Sequence, residues 1–186
     1  MIRALVLSAS LLALSPAQGH AQDNPFSRGL SDFLNIFSTQ AIPREVVSFR
    51  RNYAPGTVVV STGERRLYYV LGDGRALRYG VGVGRQGFTW SGTKTVTMKR
   101  EWPDWRPPAQ MLKRRPDLPR HMKGGIENPL GARAIYLGSS LYRIHGSNEP
   151  ETIGAAVSSG CIRMTNRDVT DLYDRVKVGS KVVVIR

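Results

Sequence analysis

The sequence predicts a mainly β fold, a sandwich or barrel, with one short helix close to its C-terminal end. Three observations carry this. Short runs rich in β-branched residues recur between turn signals at close, regular spacing. Glycine (19) and proline (11) are plentiful while aromatic residues are scattered, a composition of strands and loops rather than of a helical bundle. Beyond the N-terminal segment, only one stretch repeats apolar residues at helical spacing. A chain of 186 residues suits one domain, and a hydrophobic content of 41% is enough to fill its core.

The chain opens with an export signal. Arg3 supplies the positive end, Ala4–Ala13 is apolar apart from two serines, and Gly19-His20-Ala21 places small residues at the −3 and −1 positions of a cleavage site. Cleavage after Ala21 is expected, with residues 1–21 as the signal peptide. The rival reading is a membrane anchor, for which the apolar run is short. Residues 22–55 read as a lead-in: Phe26, Leu30, Phe33, Leu34 and Phe37 fall at helical spacing, then 38–55 read as a linker marked by Pro43 and Pro55.

The folded domain is expected over 56–186. Val58-Val59-Val60 reads as a strand, Thr62-Gly63 as a turn, and Arg66–Leu71 as a second strand closed by Gly72-Asp73-Gly74. Ala76–Val83 is a third. Gly82, Gly84 and Gly87 match G-x-G-x-x-G, but Phe88-Thr89-Trp90-Ser91-Gly92 follows and is not helical. A dinucleotide site needs a helix N-terminus there, so a glycine-rich strand end and turn is the better account. Thr93–Arg100 is a fourth strand. The stretch from Trp102 to Gly131 is long and irregular; Trp102 and Trp105 among prolines fit an ordered loop beside a binding surface, with plain packing as the other reading. Ala134–Leu137 and Leu141–His145 are short strands. Thr165 or Asn166 caps the one helix, whose apolar stripe is Val169, Leu172, Tyr173 and Val176, and Lys181–Ile185 closes the chain as a strand.

The formal net charge is +13. An exported basic protein suits an anionic envelope polymer or membrane surface as partner, or simply carries a solvated face. Nucleic acid is disfavoured as a partner, because no recognition motif is present. Cys161 is the only cysteine, and of three histidines His20 falls within the signal, leaving His121 and His145. That is too few ligands for a typical zinc site, and no metal or cofactor is expected. A single thiol in an oxidising compartment forms no internal disulfide; it is intermolecular or reactive, or else a buried, inert hydrophobe. A reactive thiol needs a base, and His145 lies sixteen positions upstream. Gly160, lacking a side chain, would let backbone N–H groups crowd round a developing oxyanion.

The stretch Ile144-His145-Gly146-Ser147 through Ser158-Ser159-Gly160-Cys161-Ile162-Arg163 resembles the catalytic signature of the L,D-transpeptidases, the YkuD-type domain: His-Gly, a short loop, then Ser-x-Gly-Cys-Ile/Leu-Arg/Asn. EWPDWRPPAQM, GGIENPLGARAIYLG and LYRIHGSN resemble further segments of its Gram-negative branch, so the resemblance covers roughly Pro55–Arg186. One departure is Ser159, where many members carry a second histidine. The resemblance implies Cys161 as nucleophile and His145 as general base and later acid, with the Gly146 carbonyl orienting the imidazole. It implies an oxyanion hole from the N–H groups of Ser159, Gly160 and Cys161. It also implies a substrate groove shaped by Arg163, Tyr136 and Ser158. The implied substrate is the peptidoglycan tetrapeptide stem, with a second stem or an envelope protein as acceptor, in the periplasm and without an integral membrane anchor. A hydrolase of the same fold and a non-enzymatic wall-binding module are the alternatives; the intact signature argues against the latter.

Overall fold

The computed structural model describes residues 42–186. The expected signal peptide and the apolar stretch Asn24–Phe37 lie outside the described residues. The strands are β1 (Glu45–Ser48), β2 (Val58–Ser61), β3 (Arg66–Gly72), β4 (Arg75–Gly80), β5 (Val83–Gly84) and β6 (Gly92–Glu101). After a long connection come β7 (Arg133–Leu137), β8 (Arg143–His145), β9 (Ala156–Ser158), β10 (Ile162–Arg163) and β11 (Lys181–Ile185). Nine of them hydrogen-bond in the order β1-β4-β3-β2-β11-β6-β7-β8-β10, and β5 pairs with β9 separately.

Strand β6 joins the two halves of this series. Its first residues, Gly92–Thr95, pair with β11, while Val96–Glu101 pair with β7 across a register irregularity between Val96 and Met98. A strand that changes partners at such a bulge turns one sheet into two facing layers. The core lies between them. Val58, Val60, Val182 and Val184 come from one half, Ile135, Leu137, Ile144 and Ile162 from the other, and all belong to one buried cluster. Every residue of β2 is buried, because Val59 joins a second cluster on the opposite face with Phe49, Val70 and Ala76.

The second cluster corrects the expectation of a linker up to Pro55. Residues 45–48 pair antiparallel with β4, and Phe49 stacks on Tyr68 at 4.8 Å between centroids. The strand carries little sequence signal because it lies at the sheet edge, where Val46 remains 55% exposed. The helix expected after Cys161 is present, and a second one joins it. Helix α1 (Ala109–Arg114) lies in the long irregular segment, and a single 3₁₀ turn spans Pro150–Thr152. Helix α1 buries none of its residues, so it has no apolar stripe to read. The segment around it is held by Asn128, whose side-chain amide donates to the carbonyls of Pro103 and Lys123 and accepts from the Leu130 N–H.

Helix α2 (Asn166–Arg175) follows the expected pattern. Val169, Leu172 and Val176 are buried in the main core, with Tyr173 packed at its margin. Thr165 is the N-cap, its hydroxyl accepting the Asp168 N–H at 3.1 Å. Thr165→Ala is expected to lower stability by about 1 kcal/mol. Urea denaturation checks this, with the midpoint falling and the slope unchanged.

Candidate active site

Strands β8 and β10 lie parallel and adjacent, with Ile144 opposite Ile162 and His145 opposite Arg163. Side chains alternate across a strand. Ile144 and Ile162 therefore turn into the core, where both are fully buried. Arg143, His145, Cys161 and Arg163 turn the other way and line a cavity of about 560 Å³. Two residue types with opposite solubility alternate on each strand, and burying the isoleucines fixes which way the histidine and cysteine face.

His145 is buried, and its Nδ1–H donates to the carbonyl of Gly146 at 2.6 Å. That bond leaves Nε2 as the ring's acceptor. Burial holds the imidazole's pKa down to about 4, and the Arg163 and Arg143 charges act in the same direction. Burial also pushes the Cys161 thiol up, against the pull of the Arg143 backbone N–H, the Arg143 guanidinium and the Arg163 charge. At neutral pH both groups are thus uncharged. The thiol's hydrogen bond runs to the Leu141 carbonyl at 3.7 Å.

The turn before Cys161 is tightly fixed. Gly160 has φ +107°, and a Cβ there would meet Tyr142 Cε1 at 2.6 Å. The Trp90 indole N–H donates to the Gly160 carbonyl at 2.7 Å, and its ring stacks on Tyr142 at 4.5 Å. Ser158 Oγ accepts the Gly160 N–H at 3.1 Å and donates to the Cys161 carbonyl at 2.6 Å. Ser158 lines the cavity, but its hydroxyl is spent inside the turn rather than offered to a ligand. For the same reason Gly160 is committed as a donor, whereas Ser159 and Cys161 both border the cavity.

Arg163 borders the cavity, with its guanidinium paired to Glu149 at 2.8 Å. Its backbone exchanges two hydrogen bonds with Gly82, so the G-x-G-x-x-G stretch serves close packing: a Cβ on Gly82 would meet the Thr152 carbonyl oxygen at 2.9 Å. No helix follows Gly87. Tyr136 is not among the cavity's lining residues; its ring lies under the Arg143 guanidinium, 5.1 Å away. Of the two tryptophans in the long segment, Trp105 is buried and lines the cavity while Trp102 is 43% exposed. His121 bonds Asp104 at 2.9 Å, outside the cavity. Sequence reasoning missed Trp90, Tyr142, Arg143 and Glu149. Tyr142 and Arg143 directly precede the His-Gly signature and Glu149 closely follows it, so LYRIHGSN could have pointed to them, whereas Trp90 has no such neighbour.

The family model for YkuD, the L,D-transpeptidase catalytic domain, matches residues 55–184. The chain belongs to this family. A relative named a probable L,D-transpeptidase, ErfK/SrfK, of Escherichia coli K12 is 39% identical over 137 residues, which is 69% of this chain and 43% of that protein. The Salmonella typhimurium ErfK/SrfK is 36% identical, over 86% of this chain and 57% of that protein. The chain thus spans about half the length of these curated relatives. Among solved structures, an L,D-transpeptidase from Mycobacterium smegmatis matches at TM-score 0.58 and 20% identity, over 72% of this chain and 59% of that one, and shares the fold. A Brucella melitensis protein named a probable carnitine operon oxidoreductase matches at TM-score 0.53 and 44% identity, over 81% of this chain and 99% of that one. The YkuD domain therefore accounts for the mainly β architecture, whatever name a given member carries.

The low pKa of His145 has a consequence for stability. Its folded value of about 4 lies below the ordinary 6.5, so the unfolded chain takes up a proton that the folded protein refuses. The corresponding stability is fully present above pH 6.5 and is lost as pH falls toward 4. Thermal melts of wild type and His145→Gln over that range are expected to differ in slope, the variant losing less stability as pH falls.

Proposed function

We propose that this chain is a cysteine L,D-transpeptidase of peptidoglycan stem peptides, exported to the periplasm by its signal peptide. The observation that carries the reading is the single bond from His145 Nδ1–H to the Gly146 carbonyl, which leaves Nε2 as acceptor in the cavity it shares with the only thiol. His145 removes the thiol proton as Sγ attacks the donor carbonyl. The charge on the carbonyl oxygen falls to the N–H groups of Ser159 and Cys161, with Gly160 holding the turn in shape. Collapse breaks the C–N bond to the terminal D-amino acid, and His145 returns the proton to the leaving amine. An acceptor amine from a second stem or an anchored protein then resolves the thioester. A neutral thiol and neutral imidazole at rest favour proton removal in step with attack, rather than a preformed ion pair.

The fixed turn supports this reading, since donors preset for a developing oxyanion are worth roughly 100- to 1000-fold in rate each. The net charge of +13 suits an anionic wall polymer. Among the described residues no helix is long and apolar enough to cross a membrane.

Incubation with purified disaccharide-tetrapeptide, followed by mass analysis, tests the proposal. Cross-linked dimer is expected; tripeptide alone would make water the acceptor, and unchanged substrate would remove the activity. Cys161→Ala should abolish product formation, and His145→Ala should cost on the order of 100-fold or more. His121→Ala should leave turnover near wild type. The family resemblance also implies acylation by a carbapenem. Intact-mass spectrometry should find one drug molecule on wild type and none on Cys161→Ala; folded, reduced wild type that stays unmodified would show the thiol is not activated.

A further inference from the structure

Four arginines border the cavity that holds Cys161. Two are already paired with carboxylates. Arg163 pairs with Glu149 at 2.8 Å, Arg115 pairs with Asp117 at 2.7 Å, and Arg114 lies over the Phe88 ring at 5.2 Å. Arg143 differs. Among the described residues it has no carboxylate partner, and its Nε is buried without any hydrogen-bond acceptor. A buried N–H without an acceptor is costly to keep, so its placement beside a reacting group calls for a reason.

Strand register supplies that reason. The β8–β10 pairing sets Ile144 opposite Ile162, so Arg143 stands one step earlier, beside Cys161 and on the same face. On its other flank, Arg143 is the direct antiparallel partner of Tyr136, whose ring carries the guanidinium at 5.1 Å. An arginine stacked on an aromatic face is held in place without losing its N–H donors. We propose that Arg143 is the charge-stabilising residue of the nucleophile: stacked on Tyr136, its guanidinium offers an unspent N–H to the negative charge that forms on Sγ when His145 takes the proton. This rests on the cysteine chemistry proposed above, but its test reads the thiol itself and needs no turnover.

Arg143 exchanges no proton in the step. The Sγ proton passes to His145 Nε2, the Sγ electron pair forms the S–C bond, and the carbonyl π pair moves onto oxygen. On collapse the C–N bond breaks and the amine takes the proton from His145. The other charged groups bordering the cavity are Arg163, Arg114, Arg115 and Glu149, and the one acid among them is already neutralised by Arg163. Arg143 is the guanidinium that the β8–β10 register sets beside the sulfur. Tyr136 thereby acquires a positioning role in place of direct substrate contact.

The test is the pH dependence of Cys161 alkylation by iodoacetamide on the full chain, followed by intact mass. The single cysteine makes the label report one site. Compared with wild type, Arg143→Met is expected to raise the titration midpoint by one pH unit or more, about tenfold less thiolate at a given pH. Arg143→Lys should restore part of the shift, and Tyr136→Leu should produce a smaller rise. Arg143→Gln, which keeps a polar head without charge, decides the matter if the methionine variant fails to fold. A folded neutral variant that titrates like wild type overturns the proposal. So does a variant whose only change is a higher KM for the tetrapeptide, since Arg143 would then be a substrate-carboxylate binder. A shift in the midpoint with no transpeptidase activity in wild type would uphold the role of Arg143 and remove the proposed reaction instead.

Discussion

The site depends on the parallel register of β8 and β10. Because Ile144 and Ile162 are opposite one another and fully buried, a slip of one residue would drive His145 and Cys161 into the core and expose both isoleucines. Burying two isoleucine side chains is worth several kcal/mol by transfer scales, far more than any preference of the cysteine or histidine for the cavity. The apolar core thus sets the aim of the face that carries His145 and Cys161. Strands of two and three residues are too short to fix register alone. Help comes from β7 on the far side of β8 and from the Gly82–Arg163 backbone pair beside β10.

Close backbone packing is the second condition. Gly146 and Gly131 both lie against the Asn166 side chain, whose Oδ1 accepts the Ala132 N–H at 2.8 Å. The same asparagine begins α2, so the helix that follows Cys161 also holds the segments carrying His145. Gly160 is pinned by Trp90, Tyr142 and Ser158. Each contact removes freedom from the turn, and a fixed turn is what the proposed charge stabilisation by its N–H groups would require.

Electrostatics then set the resting state. Burial opposes charge on both His145 and Cys161, and positive groups nearby work in opposite senses on the two: they disfavour imidazolium and favour thiolate. The result is a neutral imidazole and a neutral thiol in one cavity, where two of the four arginines are paired with carboxylates. Tyr136 contributes from beneath that surface, through the guanidinium stacked on it.

Much of this was legible in the amino-acid order. The strand runs, the capped helix with Val169, Leu172 and Val176, and the His-Gly and Ser-x-Gly-Cys-x-Arg signature are local patterns. Local patterns record which residues must be buried and which backbone must be small. The imidazole's bond to the Gly146 carbonyl is what the family resemblance implies, and the structure has that bond. The sequence could not place Glu45–Ser48 on a sheet edge, because a four-residue edge strand has little periodicity. Nor could it place α1, which buries nothing. The resemblance implied Tyr136 and Ser158 in the groove; Ser158 does border the cavity, with its hydroxyl spent in its own turn, while Tyr136 lies under the Arg143 guanidinium and outside the lining. What only tertiary structure decided is the company of Cys161: Trp90, the adjacent Tyr142 and Arg143, and Glu149 all reach it from outside its own turn. Such contacts depend on pairing across loops of unrelated length, for which the chain order carries no period to read.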